Sequence, residues 1–116
     1  MPVELRASQA LRLWHDVSLS EVRDDSHDLT QRQMCILLTI YLEPPPHTVR
    51  GLAAKLGVTK PVITRALDTM GAMKLVSRHR DPRDKRNVVI SRTVDGALYL
   101  ERLGDVIIAR AKELPR

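Results

Sequence analysis

The sequence has no phenylalanine, and its aromatic residues are Trp14, Tyr41 and Tyr99. Proteins that hold single-stranded nucleic acid stack bases on several rings set among basic residues, and none of these three rings lies in the basic part of the chain. One cysteine, Cys35, cannot form an internal disulfide, which points to a reducing compartment. No apolar run approaches the ~18 residues of a membrane-spanning helix. The start, Met-Pro-Val-Glu-Leu-Arg, lacks the charged-then-apolar build of a signal peptide. A soluble cytoplasmic protein with no membrane partner is expected. There is no Gly-rich phosphate loop, no nucleophile elbow and no pair of carboxylates beside a histidine, so neither an enzyme nor a bound cofactor is expected. His15, His27, His47 and His79 share no ligand spacing, so no metal site is expected either.

What the chain does have is charge in one place. Its 116 residues, enough for one domain, carry 19 basic and 14 acidic side chains. Lys60 to Arg86 holds eight of the basic residues against Asp68, Asp81 and Asp84, leaving eleven of each sign elsewhere. The whole formal excess of +5 therefore sits in about a quarter of the sequence. A positive field focused on adjacent elements is what a polyanion-binding surface needs, and duplex nucleic acid fits it best.

Residues 3 to about 23 have a helical rhythm of apolar positions at Leu5, Ala10, Leu13, Trp14 and Val17. The polar run 24–28 reads as a loop. Thr30 is placed to cap a second helix, with Gln33 completing a capping box and Leu29 and Met34 forming a hydrophobic staple. This helix is apolar almost throughout, reads as central to the core, and must stop at Pro44-Pro45-Pro46. Thr48 caps a short helix over roughly 49–56 that buries Val49, Leu52, Ala53 and Leu56. Gly57 permits a left-handed turn. Thr59 caps the next helix, 60 to about 73, in which Pro61 is tolerated in the first turn and Val62, Ile63, Ala66, Leu67 and Met70 face inward. Two helices joined by a short Gly-containing turn form a helix-turn-helix. Residues 75–80 and 87–92 read as strands around a polar turn. A last helix, capped by Thr93 and running to about 113, carries a broad apolar stripe that includes Ala97, Leu100, Leu103, Ile107 and Leu114.

Helix-turn-helix followed by a two-stranded hairpin is the winged-helix order. Leu52-Ala-Ala-Lys-Leu-Gly-Val-Thr-Lys-Pro-Val-Ile-Thr-Arg-Ala-Leu-Asp68 resembles the helix-turn-helix of the MarR family of bacterial transcription regulators. Lys74-Leu-Val-Ser-Arg-His-Arg-Asp-Pro-Arg-Asp-Lys-Arg86, with the residues to Gly96, resembles that family's wing and the start of its next helix. The resemblance covers about residues 29–103. It implies a mainly α fold with a small antiparallel β-hairpin: a winged-helix core over 29–92, an N-terminal helix and loop over 1–28, and a C-terminal helix over 93–116, all in one domain. It further implies a homodimer on a pseudo-palindromic double-stranded DNA operator, with recognition helices in major grooves and wings in minor grooves. Only the 1–23 and 93–113 helices remain for dimerisation, since the chain is shorter at its ends than is usual for the family. The sequence leaves a small-molecule effector open.

The residue chemistry agrees with this picture. Thr59, Lys60, Pro61, Thr64 and Arg65 lie on the first turns of the second helix, the end that enters the major groove. Arg65 can read guanine bidentately, Thr64 a base edge or a phosphate, and Pro61 a thymine methyl. Thr48 and Arg50, at the start of the preceding helix, can hold phosphates. In the wing, Asp84-Lys85-Arg86 resembles the family's Asp-x-Arg, which implies Arg86 as the minor-groove residue and Asp84 as its orienter, with Arg83 and Lys85 on the backbone or in the groove beside it. Arg92 departs from the family pattern, which ends this strand in an apolar residue.

Other residues have plainer readings. Lys74, Arg78 and Arg80 read equally as surface charges or phosphate contacts, and Asp68 as a structural salt-bridge partner. Cys35, in a run of Met, Ile and Leu, reads as a buried, inert thiol. Trp14 reads as a core or dimer anchor, and the last helix's stripe as a dimer face. The alternative function is a winged-helix protein–protein interaction module with little or no specific DNA binding.

Overall fold

Five helices and a three-stranded antiparallel sheet account for the regular structure of the described residues, 4–24 and 27–115, in a computed structural model of the chain. In order they are α1 (Ala7–Arg23), α2 (Gln31–Leu42), β1 (His47–Thr48), α3 (Val49–Leu56), α4 (Lys60–Ala72), β2 (Val76–Asp81), β3 (Asp84–Arg92) and α5 (Val94–Lys112). The expected winged-helix order is present. A strand was not foreseen at His47–Thr48, and it adds to the hairpin edge to give the sheet order β1-β3-β2. Two residues after three prolines show no alternation, so nothing in the sequence announced it. No helix among the described residues is long and apolar enough to cross a membrane.

The helix ends follow local chemistry. Thr30 Oγ1 accepts from the Gln33 amide and Gln33 Oε1 accepts from the Thr30 amide, the capping box read from the sequence. Thr48 Oγ1 accepts from the Gly51 amide to start α3, and Gly57 ends it at φ 69°. Thr59 is the exception. It precedes α4 with extended backbone, but its side chain makes no capping bond. The far end of α4 closes through Lys74, which sits at φ 62°. The Leu75 amide returns to the Met70 carbonyl and the Lys74 amide to the Gly71 carbonyl, so a lysine occupies the left-handed position that usually belongs to glycine. α5 begins at Thr93, whose Oγ1 accepts from the Gly96 amide and donates to the Lys74 carbonyl.

The chain divides into two compact units. The larger, residues 29–100, has one core built from Ile36, Leu37 and Ile40 of α2, Leu52 and Ala53 of α3, Ile63, Ala66, Leu67 and Met70 of α4, with Leu75, Val76, Ile90 and Tyr99. Val49 and Leu56 pack against it, only partly buried. Cys35 lies outside it: the thiol is exposed, which overturns the buried reading. At 3.6 residues per turn, α2 turns Ile36, Leu37 and Ile40 inward and puts Cys35 on the same outward face as Leu42, seven residues on.

Arg92 closes the end of α2. Its Nε donates to the Ile40 carbonyl at 3.0 Å and a terminal nitrogen to the Glu43 carbonyl at 3.3 Å, with the guanidinium 5.7 Å from the centre of the Tyr41 ring. α2 has no basic residue in its own last turn, so a side chain from β3 supplies the cation and donors that the helix terminus needs. The departure from the family pattern at Arg92 therefore has a structural role.

The smaller unit contains residues 1–28 and 101–116. α1 starts at Ala7 rather than at 3, and Val3 itself lies outside the described residues, as do Asp25 and Ser26 of the expected 24–28 loop. Gln9 ties the start of α1 to the chain end through a 2.9 Å bond to the Pro115 carbonyl. Val17 and Leu103 are buried, but the core reading of Trp14 fails: it is 63% exposed. Ile107 and Ile108 of the α5 stripe are likewise exposed, as are Leu11 and Val22 of α1.

Candidate nucleic-acid interface

The start of α3, the start of α4 and the root of the β2–β3 hairpin enclose an open cleft of about 550 Å³. Thr48, Val49, Arg50, Lys60, Thr64, Asp84, Arg86, Asn87 and Val88 line it. Residues distant in sequence, from Thr48 to Val88, thus meet in one concave, basic site. β1 contributes to this arrangement. It pairs His47 with Ile90 and Thr48 with Val89, which sets the capping end of α3 against the strand that carries Arg86.

The wing's shape comes from a break in register. β2 pairs with β3 from Val76↔Arg92 to Arg80↔Val88, and then jumps to Asp81↔Asp84. Lys85, Arg86 and Asn87 therefore have no partner on β2, and a bulge of this kind bends a strand and re-aims its side chains. Two aspartates stabilise the tip. Asp81 Oδ1 accepts from the Arg83 amide at 2.9 Å, and Asp84 Oδ1 from the Arg86 amide at 3.1 Å. The same Asp84 oxygen lies 3.4 Å from Arg86 Nε. Asp84 thus holds both the backbone and the guanidinium of Arg86, while the Arg86 side chain stays 93% exposed.

The other site residues from the sequence are all on the surface. Thr59, Lys60, Pro61, Thr64 and Arg65 are exposed on or just before the first turns of α4, and Arg83 and Lys85 are exposed at the wing tip. Thr48, Arg50, Lys60, Thr64, Asp84 and Arg86 share the cleft, whereas Thr59, Pro61, Arg65, Arg83 and Lys85 lie outside its lining.

The structure also sorts the basic residues whose role was open. Arg78 is 2.7 Å from Asp68, an ion pair joining β2 to α4, so Asp68 is the salt-bridge partner it was read to be. Arg80 donates to the Lys85 carbonyl at 2.7 Å. Asn87 was missed. It lines the cleft, and no hydrogen bond of the described residues involves its carboxamide. The signal was available: asparagine is disfavoured in strands, yet it stands between Arg86 and Val88. Among the described residues no group of His, Cys, Asp or Glu comes together to hold a metal ion.

The same fold occurs in solved structures. A point mutant of S. aureus MepR matches with a TM-score of 0.75 at 21% identity, over 95% of this chain and 82% of that one. The S. aureus MepR–DNA complex matches with a TM-score of 0.66 at 21% identity, over 88% and 75%. The PcaV transcriptional regulator from Streptomyces coelicolor, in complex with its natural ligand, matches with a TM-score of 0.65 at 24% identity, over 97% and 81%. At these identities the likeness is one of fold. Residues 27–87, more than half of the chain, match the sequence model of the MarR family. With its winged helix and basic wing, this chain belongs to the MarR family of DNA-binding transcriptional regulators.

Proposed function

We propose that this protein works in the cytoplasm as a homodimer on a pseudo-palindromic duplex operator, each protomer setting the start of α4 in the major groove and the wing in the flanking minor groove. The observation that supports this most is the cleft in which Arg50, Lys60, Thr64 and Arg86 converge although they come from three separate elements.

Residue roles follow from that arrangement. Arg65, Thr64 and Pro61 face base edges. Thr59 has no capping bond to satisfy, so its hydroxyl is available to a base edge or phosphate. Lys60, Arg50 and Thr48 hold backbone phosphates at two helix starts. Arg86 enters the minor groove, where a narrow groove focuses negative potential; Asp84 aims it, and Arg83 and Lys85 flank it on the backbone. Residues 29–92 are the reading head of a single functional domain. α1 and the end of α5 carry Leu11, Trp14, Val22, Ile107 and Ile108 exposed, which provides an apolar face for a second copy.

Selection of bound sequences from a random duplex library tests the reading. The expected product is a pair of inverted half-sites separated by about one helical turn. With Arg50, Lys60, Arg83 and Lys85 on phosphates in both protomers, log affinity should fall with log salt at a slope of about seven. Enrichment of no sequence, with binding no stronger than to random duplex, would overturn it.

A further inference from the structure

We propose that Asn87 is a DNA contact of this protein: its carboxamide donates to one backbone phosphate seated in the cleft between the wing root and the starts of α3 and α4. The inference rests on the DNA-binding reading above and names a contact within it.

Three observations carry it. Asn87 lines the cleft together with Thr48, Arg50, Lys60 and Arg86, so the surrounding charge suits an anion and repels a cation. Asn87 is half-buried on β3, yet none of its carboxamide atoms is used in a hydrogen bond among the described residues. Its carboxamide atoms are not sealed from solvent, so a phosphate can reach them. Asn87 also falls in the bulged run Lys85–Arg86–Asn87, which has no Cα partner on β2. The register break that aims Arg86 therefore positions Asn87 as well. The carboxylate that lines the cleft, Asp84, turns one oxygen, Oδ1, to the amide and guanidinium of Arg86. What remains is a neutral N–H donor beside Arg50 and Lys60, a set that grips a phosphodiester: the cations supply attraction and the amide supplies direction.

A neutral donor has a signature that distinguishes it from its basic neighbours. It releases no counterion, so removing it lowers affinity without changing the salt slope, whereas loss of a phosphate-bound lysine or arginine reduces that slope by about 0.9 per protomer. The test uses the full chain and the operator duplex in gel-shift titrations over a range of salt. Asn87→Ala should bind at least about fivefold more weakly, with the slope of the wild type. Operator duplexes with single phosphates replaced by neutral methylphosphonates then locate the contact. At one flanking position Asn87→Ala should lose clearly less affinity than the wild type, because the amide's share is already gone and only that of the neighbouring cations remains. Wild-type affinity in Asn87→Ala, or losses that add at every phosphate position, overturns the assignment. So does relaxed base preference, which would make Asn87 a base reader. A wild-type protein that binds no duplex overturns the functional reading as well, which separates the two failures.

Discussion

Arg80 donates from Nη1 to the carbonyl of Lys85, 2.7 Å away, across the mouth of the wing. The register break leaves that carbonyl without a ladder partner on β2, and the side chain at the last regular pair, Arg80↔Val88, fills the place. Arg80 thus braces the wing, a role that by itself needs no phosphate. Arg80→Ala should weaken operator binding several-fold while leaving the salt slope unchanged, since no counterion is released at Arg80. Lys85→Ala should flatten the slope by about 0.9 per protomer. Salt-dependent titrations of both variants check this, and a flattened slope in Arg80→Ala would make it a phosphate contact after all.

Gly96 should not tolerate a side chain. A Cβ there would collide with the Tyr41 hydroxyl and the Leu75 carbonyl, with the Tyr41 Cζ at 2.9 Å. The hydroxyl cannot retreat freely, because it accepts from the Thr93 amide at 2.9 Å and faces the Leu75 and Thr93 carbonyls. Gly96→Ala should cost about 3 kcal/mol, the upper end for overpacking, because one of the obstructing atoms is backbone. Chemical denaturation gives the value, and a loss below about 1 kcal/mol would mean that the start of α5 shifts easily.

Two substitutions at the ends of α4 should be better tolerated than the residue types suggest. Lys74 pays for a left-handed backbone at φ 62°, so Lys74→Gly should stabilise the fold by up to about 1 kcal/mol, a rise of about 4 °C in Tm. Thr59→Ala should cost clearly less than the ~1 kcal/mol of a lost N-cap, because no capping bond exists to lose. Thermal melts of the two variants decide both points.

Trp14 is exposed on α1, so Trp14→Ala should change the stability of one protomer by no more than about 0.5 kcal/mol. If α1 forms part of the proposed dimer face, the same change should weaken dimerisation by at least about 2 kcal/mol, the scale of a buried interface tryptophan. Sedimentation over a dilution series reads this directly, and an unchanged dimer constant would move the interface elsewhere.

Much of the fold was legible because it is locally encoded. The capping box at Thr30 and Gln33, the Thr48 and Thr93 caps, the proline stop and the left-handed Gly57 each involve residues a few positions apart. The concentration of charge between Lys60 and Arg86 and the Asp84–Arg86 pairing were equally local. Three features escaped because they depend on partners brought together only by folding. Cys35 faces outward because the inward face of a uniformly apolar helix is set by what packs on it. Arg92 reaches the Ile40 carbonyl 52 positions away, and β1 exists only where β3 passes.

The sequence by itself therefore determined the order of the helices and the wing hairpin, most of the helix ends and where the positive charge would collect. Only the tertiary structure decided which of those charges are available. Arg78 is held by Asp68 and Arg80 by the wing's own backbone, whereas Arg50, Lys60 and Arg86 share a cleft with Asn87. The reason is range. Capping and turn formation act within a turn of chain, but whether a cation meets a carboxylate, a carbonyl or open solvent depends on which distant segment folding places beside it.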